Sequence, residues 1–194
     1  MKLFLFLIVL AGGAYLFGNY YNFRPDIIRP MLVQINHARE NNPQALCNLL
    51  SLDAKVTIQD NIPRNKVSLV DVDRVQGCNY LLTSAPLMLP NNPPQKNGFI
   101  RDILQNVDIF HEDITKNTGR ASFGTDERRR EMRDRGTLLS GKTTTKLELR
   151  GKWFAGGMNC LFDTKNKPEC PPSWSNGLEI TRFELIRNYE IIPE

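Results

Sequence analysis

The one place where this 194-residue chain sets a histidine among acids is His111-Glu112-Asp113, in VDIFHEDITK. An imidazole beside a carboxylate suits general acid-base work, because the carboxylate fixes the ring and stabilises its charged form. Adjacent residues of a strand point to opposite faces, so only His111 and Asp113 could act together. Phe110 and Ile114 occupy the other face, and that apolar pair is expected to be the core side. His111 and Asp113 are therefore the catalytic candidates, but they are expected to face solvent, and no catalytic residue is assigned. Asp71 and Asp73 in SLVDVD also share a face and could pair for acid-base chemistry. The polar face of any half-buried strand shows the same pattern. His37, between Asn36 and Ala38 near the end of a helical segment, reads as a surface or capping residue.

Charge and cysteine content narrow the chemistry further. TDERRREMRDRG holds nine charges in the ten residues from Asp126 to Arg135, five arginines against four acids. Arg128, Arg129, Arg130, Arg133 and Arg135 could grip phosphate or carboxylate groups of a partner. The stretch nets only +1, which equally describes a solvated turn with internal ion pairs. The formal charge of +4 falls to +2 once Lys2 and Arg24 are set aside, so no nucleic-acid surface is indicated. Close glycines in GGAYLFG and FAGGMN lack the strand-to-helix setting of a phosphate loop. No cofactor is expected. The four cysteines are Cys47, Cys78, Cys160 and Cys170. An even number in an exported chain implies disulfides, with Cys160 to Cys170 closing LFDTKNKPEC and Cys47 to Cys78 as the remaining pair. Zinc needs closely spaced ligand pairs, which are absent, so no metal is expected.

Export is inferred from the leader MKLFLFLIVLAGGAYLFGNYYNF. A basic start is followed by apolar residues and glycine from Leu3 to Phe17, with no charge before Arg24. Gly12-Gly13-Ala14 is a poor cleavage site, because Tyr15, Leu16 and Phe17 prolong the apolar run. Residues 1-24 are thus expected to be a membrane anchor or signal peptide and 25-194 a single extracytoplasmic domain. The membrane would be contacted through residues 3-23, with an envelope protein as the expected partner and secretion or periplasmic release as the alternative.

The elements that must hold any site follow from periodicity. DIIRPMLVQINHARENN turns Ile28, Met31, Leu32, Ile35 and Ala38 to one helical face, with Asp26 as its cap. NPQALCNLLS has Asn42 as a cap and Pro43 at the first helical position. AKVTIQ, KVSLVDVD and CNYLLTS read as strands. SAPLMLPNNPPQKNG reads as a loop, because its prolines remove ladder donors. A third short helix is expected over Phe99, Ile100, Ile103, Leu104 and Val107. VDIFHEDITKNTGRASFG reads as a hairpin turning at Lys116-Asn117-Thr118-Gly119. KTTTKLELRG faces Thr143, Thr145, Leu147 and Leu149 one way, and Gly151-Lys152 turns into a strand at Trp153. In GLEITRFELIRNYEII the alternation changes parity between Ile180 and Phe183, which predicts a bulge.

Helices first and then antiparallel strands, with Gly119-Arg120-Ala121 at one turn and Arg150-Gly151-Lys152-Trp153 at the next, resemble the nuclear transport factor 2-like (SnoaL-like) superfamily over residues 26 to 190. The resemblance implies an α+β fold, N-terminal helices packed on a curved antiparallel sheet that forms a cone with a pocket, here preceded by the transmembrane or signal helix. Members include enzymes, small-molecule binders and structural modules. The expected function is a membrane-anchored extracytoplasmic binding or assembly module without catalysis. The alternative is a small-molecule-binding protein or an isomerase-, dehydratase- or cyclase-like enzyme using the cone pocket.

Overall fold

The structure is a computed structural model that describes residues 2–63, 65–84, 88–90, 104–131, 138–151 and 178–191. Helix α1 (Lys2–Asn22) runs into α2 (Pro25–Asn41) through Phe23, which is buried. The three- and four-residue spacing in α2 buries Ile28, Met31, Leu32, Ile35 and Ala38 as the pattern requires. Asp26 does not cap this helix. Arg24 occupies the cap position, and the Asp26 carboxylate accepts two hydrogen bonds from its guanidinium at 2.9 and 3.0 Å. Asn42 does cap α3 (Pro43–Leu49): its side-chain oxygen accepts the Ala45 N–H at 3.2 Å, and Pro43 stands where a missing donor is harmless.

Strands β1 (Leu50–Ile62) and β2 (Asn65–Asp73) form an antiparallel pair, after which α4 (Arg74–Ser84) follows. The CNYLLTS segment is thus helix, not strand. The Asp73 carboxylate accepts the Gln76 N–H at 2.9 Å and starts the helix. Gly77 then lets it lie against β1, since a Cβ there would come within 2.6 Å of the Val56 side chain. A disulfide joins Cys47 on α3 to Cys78 on α4, and the Arg74 guanidinium donates to the Cys47 carbonyl at 3.1 Å.

The remaining strands are β3 (Met88–Pro90), β4 (Gln105–Asp113), β5 (Thr118–Glu131), β6 (Leu138–Gly151) and β7 (Leu178–Ile191). All seven make one sheet in the order β2-β1-β7-β6-β5-β3, with β4 also on β5. β4 lies beside the first part of β5 and β3 beside its end, and only the β1–β7 pairing is parallel among the described strands. The sheet is open. A cone needs its outermost strands drawn together, whereas β2 pairs only with β1, and β3 and β4 only with β5, among the described residues. The expected curved, all-antiparallel cone is corrected on that ground.

Other expectations divide in the same way. The β4–β5 hairpin turns through Asn117, whose φ of 53° is the left-handed conformation that asparagine tolerates. The register of β6 on β7 shifts between Glu148 and Leu149, opposite Arg182 and Ile180, at the predicted bulge. The expected third helix lies outside the described residues up to Ile103, and from Gln105 the chain is strand β4. Met88–Pro90, read as loop, is a three-residue strand. Cys160, Cys170 and the strand expected at Trp153 lie outside the described residues.

Among the described residues, no helix is long and apolar enough to cross a membrane. The apolar run Leu3 to Phe17 spans about 22 Å at 1.5 Å per residue, short of the ~30 Å hydrocarbon core. The end of this run and the residues after it engage the β4–β5 hairpin: the Tyr15 hydroxyl donates to the Thr115 carbonyl at 3.2 Å, and Tyr20 and Phe23 reach His111. The expected transmembrane or signal helix over residues 1-24 is corrected. So are the single-pass membrane localisation, the compartment drawn from it, and the membrane as a partner through residues 3-23.

Cys47 and Cys78 are 31 residues apart, so their cross-link restricts the unfolded chain by about 3–4 kcal/mol in the loop-entropy account. A Cys47→Ala/Cys78→Ala chain is expected to lose about that much stability in urea unfolding. Reducing agent should then lower the midpoint of the parent by more than that of this variant.

Candidate functional site

The register of the sheet brings together residues that are far apart in sequence. Thr125 on β5 faces Thr143 on β6, Thr143 faces Arg187 on β7, and Arg187 faces Asp60 on β1. All four side chains are buried. They belong to the inward rows that hold Ala121 and Phe123 on β5, Leu147 on β6, Phe183 and Leu185 on β7, and Val56 and Ile58 on β1. The rung of Ala121, Leu147, Phe183 and Val56 is wholly apolar; the next, Phe123, Thr145, Leu185 and Ile58, admits one hydroxyl; the third, Thr125, Thr143, Arg187 and Asp60, is wholly polar. The inner face therefore passes from the main core to a polar level within two steps along each strand, and beyond that level lies a smaller buried apolar cluster of Ile62, Leu139 and Tyr189.

Two helices close over this polar rung. At the C-terminal end of α2, where a cation complements the helix dipole, buried Arg39 reaches Thr145 Oγ1 at 3.4 Å, Thr125 Oγ1 at 3.5 Å and the Glu40 carboxylate at 3.0 Å. From α4, the Tyr80 hydroxyl donates to Asp60 Oδ2 at 2.5 Å. Arg187 grips the same carboxylate with a fork, Nε to Oδ1 and Nη2 to Oδ2, each at 2.5 Å. Asp60, 0% exposed, thus receives three donors and cannot serve as a free base. Burial first, and then the hydrogen bond to Asp60, pushes the Tyr80 phenol well above its ordinary pKa, so it remains a proton donor. Beside Asp60 and Arg187, the Tyr189 hydroxyl lies 3.5 Å from Thr143 Oγ1. Chemically, the rung and its helices offer guanidinium, hydroxyl and phenol groups, which suit oxygen atoms of a ligand.

Of these residues, the sequence reading placed Thr143 and Thr145 on a shared face and missed the rest. Parity was the available signal. Asp60 follows Val56 and Ile58 in steps of two, Thr125 follows Ala121 and Phe123, and Arg187 follows Phe183 and Leu185. Polar residues that keep the inward parity of an apolar row are placed inside by the strand itself.

His111 also faces inward, against expectation. It pairs with Gly119 on β5, where Phe23 lies so close that a Cβ would come within 2.5 Å of its ring. Phe23 stacks on the imidazole with ring centres 4.6 Å apart, and Tyr20 lies 6.5 Å away, tilted. Phe110 is 61% exposed, and Ile114 is exposed too. The inward row of β4 is Val107, Ile109 and His111, because the partners of Ile109 and His111 on β5 point to the core. Burial lowers the His111 pKa, opposed by the charge of Asp113. Asp113 forms no dyad with it. Its Oδ1 accepts from the Thr115 hydroxyl at 2.6 Å, the Thr115 N–H at 2.9 Å and the Lys116 N–H at 3.2 Å, bonds that shape the hairpin turn and hold the carboxyl below its usual range.

Asp71 and Asp73 separate in the same manner: Asp71, at φ 50°, pairs with Arg182 at 3.1 Å, and Asp73 starts α4. His37 is exposed on α2. Arg128, Arg129 and Arg130 continue β5, while Arg133 and Arg135 lie outside the described residues. On the outer face of the sheet, a concavity of about 500 Å³ opens around Asp108, Phe110, Arg120 and Lys146.

No family model matches the sequence, and no curated protein matches it. Among solved structures the chain is similar to a protein of Novosphingobium aromaticivorans provisionally described as a scytalone dehydratase, at 12% identity and a TM-score of 0.46 with 87% of each chain covered. It is also similar to the yeast UBP3-associated protein BRE5, at 12% identity and 0.46, covering 86% of this chain and 96% of that one. A third is the phenazine biosynthesis-related protein PhzB2 of Pseudomonas aeruginosa, at 6% identity and 0.38 with 84% of each covered. Overlaps below 0.5 describe the path of the chain and carry no argument about activity. The expected membrane-anchored module, more an assembly piece than an enzyme, is nonetheless corrected by the fold itself. Its anchor is not supported, and His111, expected to face solvent, lies on the inner side against Phe23.

Removing one partner of the buried fork strands the other. Asp60→Ala is expected to cost about 3–5 kcal/mol in unfolding, and Asp60→Leu combined with Arg187→Met to recover most of it. For His111, burial favours the neutral ring, so the unfolded chain binds the proton more tightly. Its contribution is complete above the ordinary value of 6.5 and is lost as pH falls through it. Melting temperatures recorded from pH 8 down to pH 5 should show this decline, and the part due to His111 should vanish in His111→Phe.

Proposed function

We propose that the chain is a small-molecule-binding protein or enzyme whose ligand is held at the polar level of the inner face, between the Thr125–Thr143–Arg187–Asp60 rung and the ends of α2 and α4. The observation that carries this reading is the rung itself: four successive strands each commit an inward, buried position to a polar side chain at one level. Packing does not require it. A buried ion pair is often no more stabilising than apolar residues of the same volume, so a row of such groups favours recognition over stability.

The chemistry of the row selects the ligand. Arg39 and the threonine hydroxyls present donors to carbonyl, carboxylate or hydroxyl oxygens, while Asp60 is occupied by Arg187 and Tyr80 and serves to orient both. The apolar rungs beside it suit a hydrocarbon or ring portion. A small hydroxy or keto acid with an apolar body fits both halves.

A thermal-shift screen of aromatic and aliphatic hydroxy and keto acids tests this reading. A compound present at one hundred times its dissociation constant should stabilise the chain by about 2.7 kcal/mol, raising the melting temperature by roughly 5–10 °C for a chain of this size. Thr125→Val with Thr143→Val, nearly isosteric changes, should weaken the best compound about tenfold (~1.4 kcal/mol). No shift by any compound, or a shift unaltered in the double variant, overturns the proposal.

A further inference from the structure

We propose that the outer face of the sheet holds a second, separate site that takes a flat organic cation, seated between the Phe110 ring and the Asp108 carboxylate. Asp108 and Phe110 are two residues apart on β4 and so project from the same face, opposite to the inward Ile109 and His111. Across the strand pair, Asp108 faces Ser122 and Phe110 faces Arg120. These four, with Lys146 and Glu184, surround a concavity of about 500 Å³, within the range of roughly 300–1,000 Å³ usual for small-molecule sites.

Charge decides the sign of the ligand. The cations of the concavity all have carboxylates of their own. Arg120 pairs with Glu112, Lys146 with Glu184 at 3.1 Å, and Arg182 with Asp71 at 3.1 Å and Glu148 at 3.7 Å. Asp108 has no hydrogen-bond or ion-pair partner among the described residues. Counted with Glu112 and Asp71, which pair onto Arg120 and Arg182 from outside the lining, the carboxylates outnumber the cations, and Asp108 sits beside an exposed aromatic face, which attracts cations through its quadrupole. Phe110 is 61% exposed, and Asp108 and Arg120 line the concavity with it.

Shape then separates an organic cation from a metal ion. A divalent metal asks for several oxygen or nitrogen ligands at once, and among the described residues no group of three histidine, cysteine or acidic side chains could hold one. A single carboxylate, one hydroxyl at Ser122 and an aromatic wall suit an ammonium group carrying a planar apolar portion. The site is independent of the inner rung, because the sheet lies between them and the inward residues Ala121 and Phe123 belong to the core.

Calorimetric titration of the full chain with benzyltrimethylammonium chloride tests the proposal, with phenylacetate as the anionic counterpart. Saturable binding of the ammonium is expected, weakened at least tenfold by Asp108→Asn and by Phe110→Ala and left unchanged by Thr125→Val. Both outer residues are exposed, so the melting temperature of each variant should match the parent. Absence of saturable binding by the parent chain, binding indifferent to both outer substitutions, or tighter binding of phenylacetate than of the ammonium would each overturn it.

Discussion

The fork from Arg187 to Asp60 crosses the one parallel junction of the described sheet, where β1 meets β7. On one side of that junction lie the chain's first strand pair and α4; on the other lie the long antiparallel strands β4 to β7. No tight turn can join parallel neighbours, so nothing local in sequence holds these two halves in register. The two guanidinium-carboxylate bonds bridge residues 127 positions apart at the level where the inner face turns polar. Sliding β1 by one residue along β7 would aim Asp60 outward and leave Arg187 buried without it. The pair therefore specifies which residues face one another more than it adds net stability, and the placement of Tyr80, Thr143 and Arg39 depends on that choice.

The two faces of the sheet then diverge in character. Inside, the row changes from Val56, Phe183, Leu147 and Ala121 to the polar rung, so the apolar face of α2 lies with the core while its terminal Arg39 meets the rung. Outside, Arg120, Lys146, Glu148, Arg182 and Glu184 form cross-strand ion pairs in water. Exposed pairs of that kind contribute little each, typically under ~1 kcal/mol, so the outer face is free to vary in charge without endangering the fold.

How much of this could be read beforehand depends on whether the information was local. The α2 face, the Asn42 cap, the Asn117 turn and the bulge before Phe183 rest on residues within a few positions of one another, and the structure shows each. Asp26 misled by one turn position, since Pro25 was free to begin the helix. CNYLLTS misled because its short apolar run fits either a strand or a helix face, and Asp73 decided the matter from outside the run. For β4 the rule that aromatic residues face inward failed at Phe110, because the partners on β5, Ala121 and Gly119, select the alternate row. The polar rung was the least legible feature. Each of its members is an ordinary polar residue in its own strand, and they become a row only once the order β5-β6-β7-β1 is known.

The bond between Cys47 and Cys78 encloses the β1–β2 hairpin in a covalent ring. Tension applied to the two ends of the chain would pass through the sulfurs and bypass the intervening chain, a separation of 31 positions, shortening the fully extended molecule by about 100 Å. Likewise, a single peptide-bond break at the tip of that hairpin would open the ring without releasing a fragment. Among the described residues, the β2 edge of the sheet can thus be cut and still remain attached.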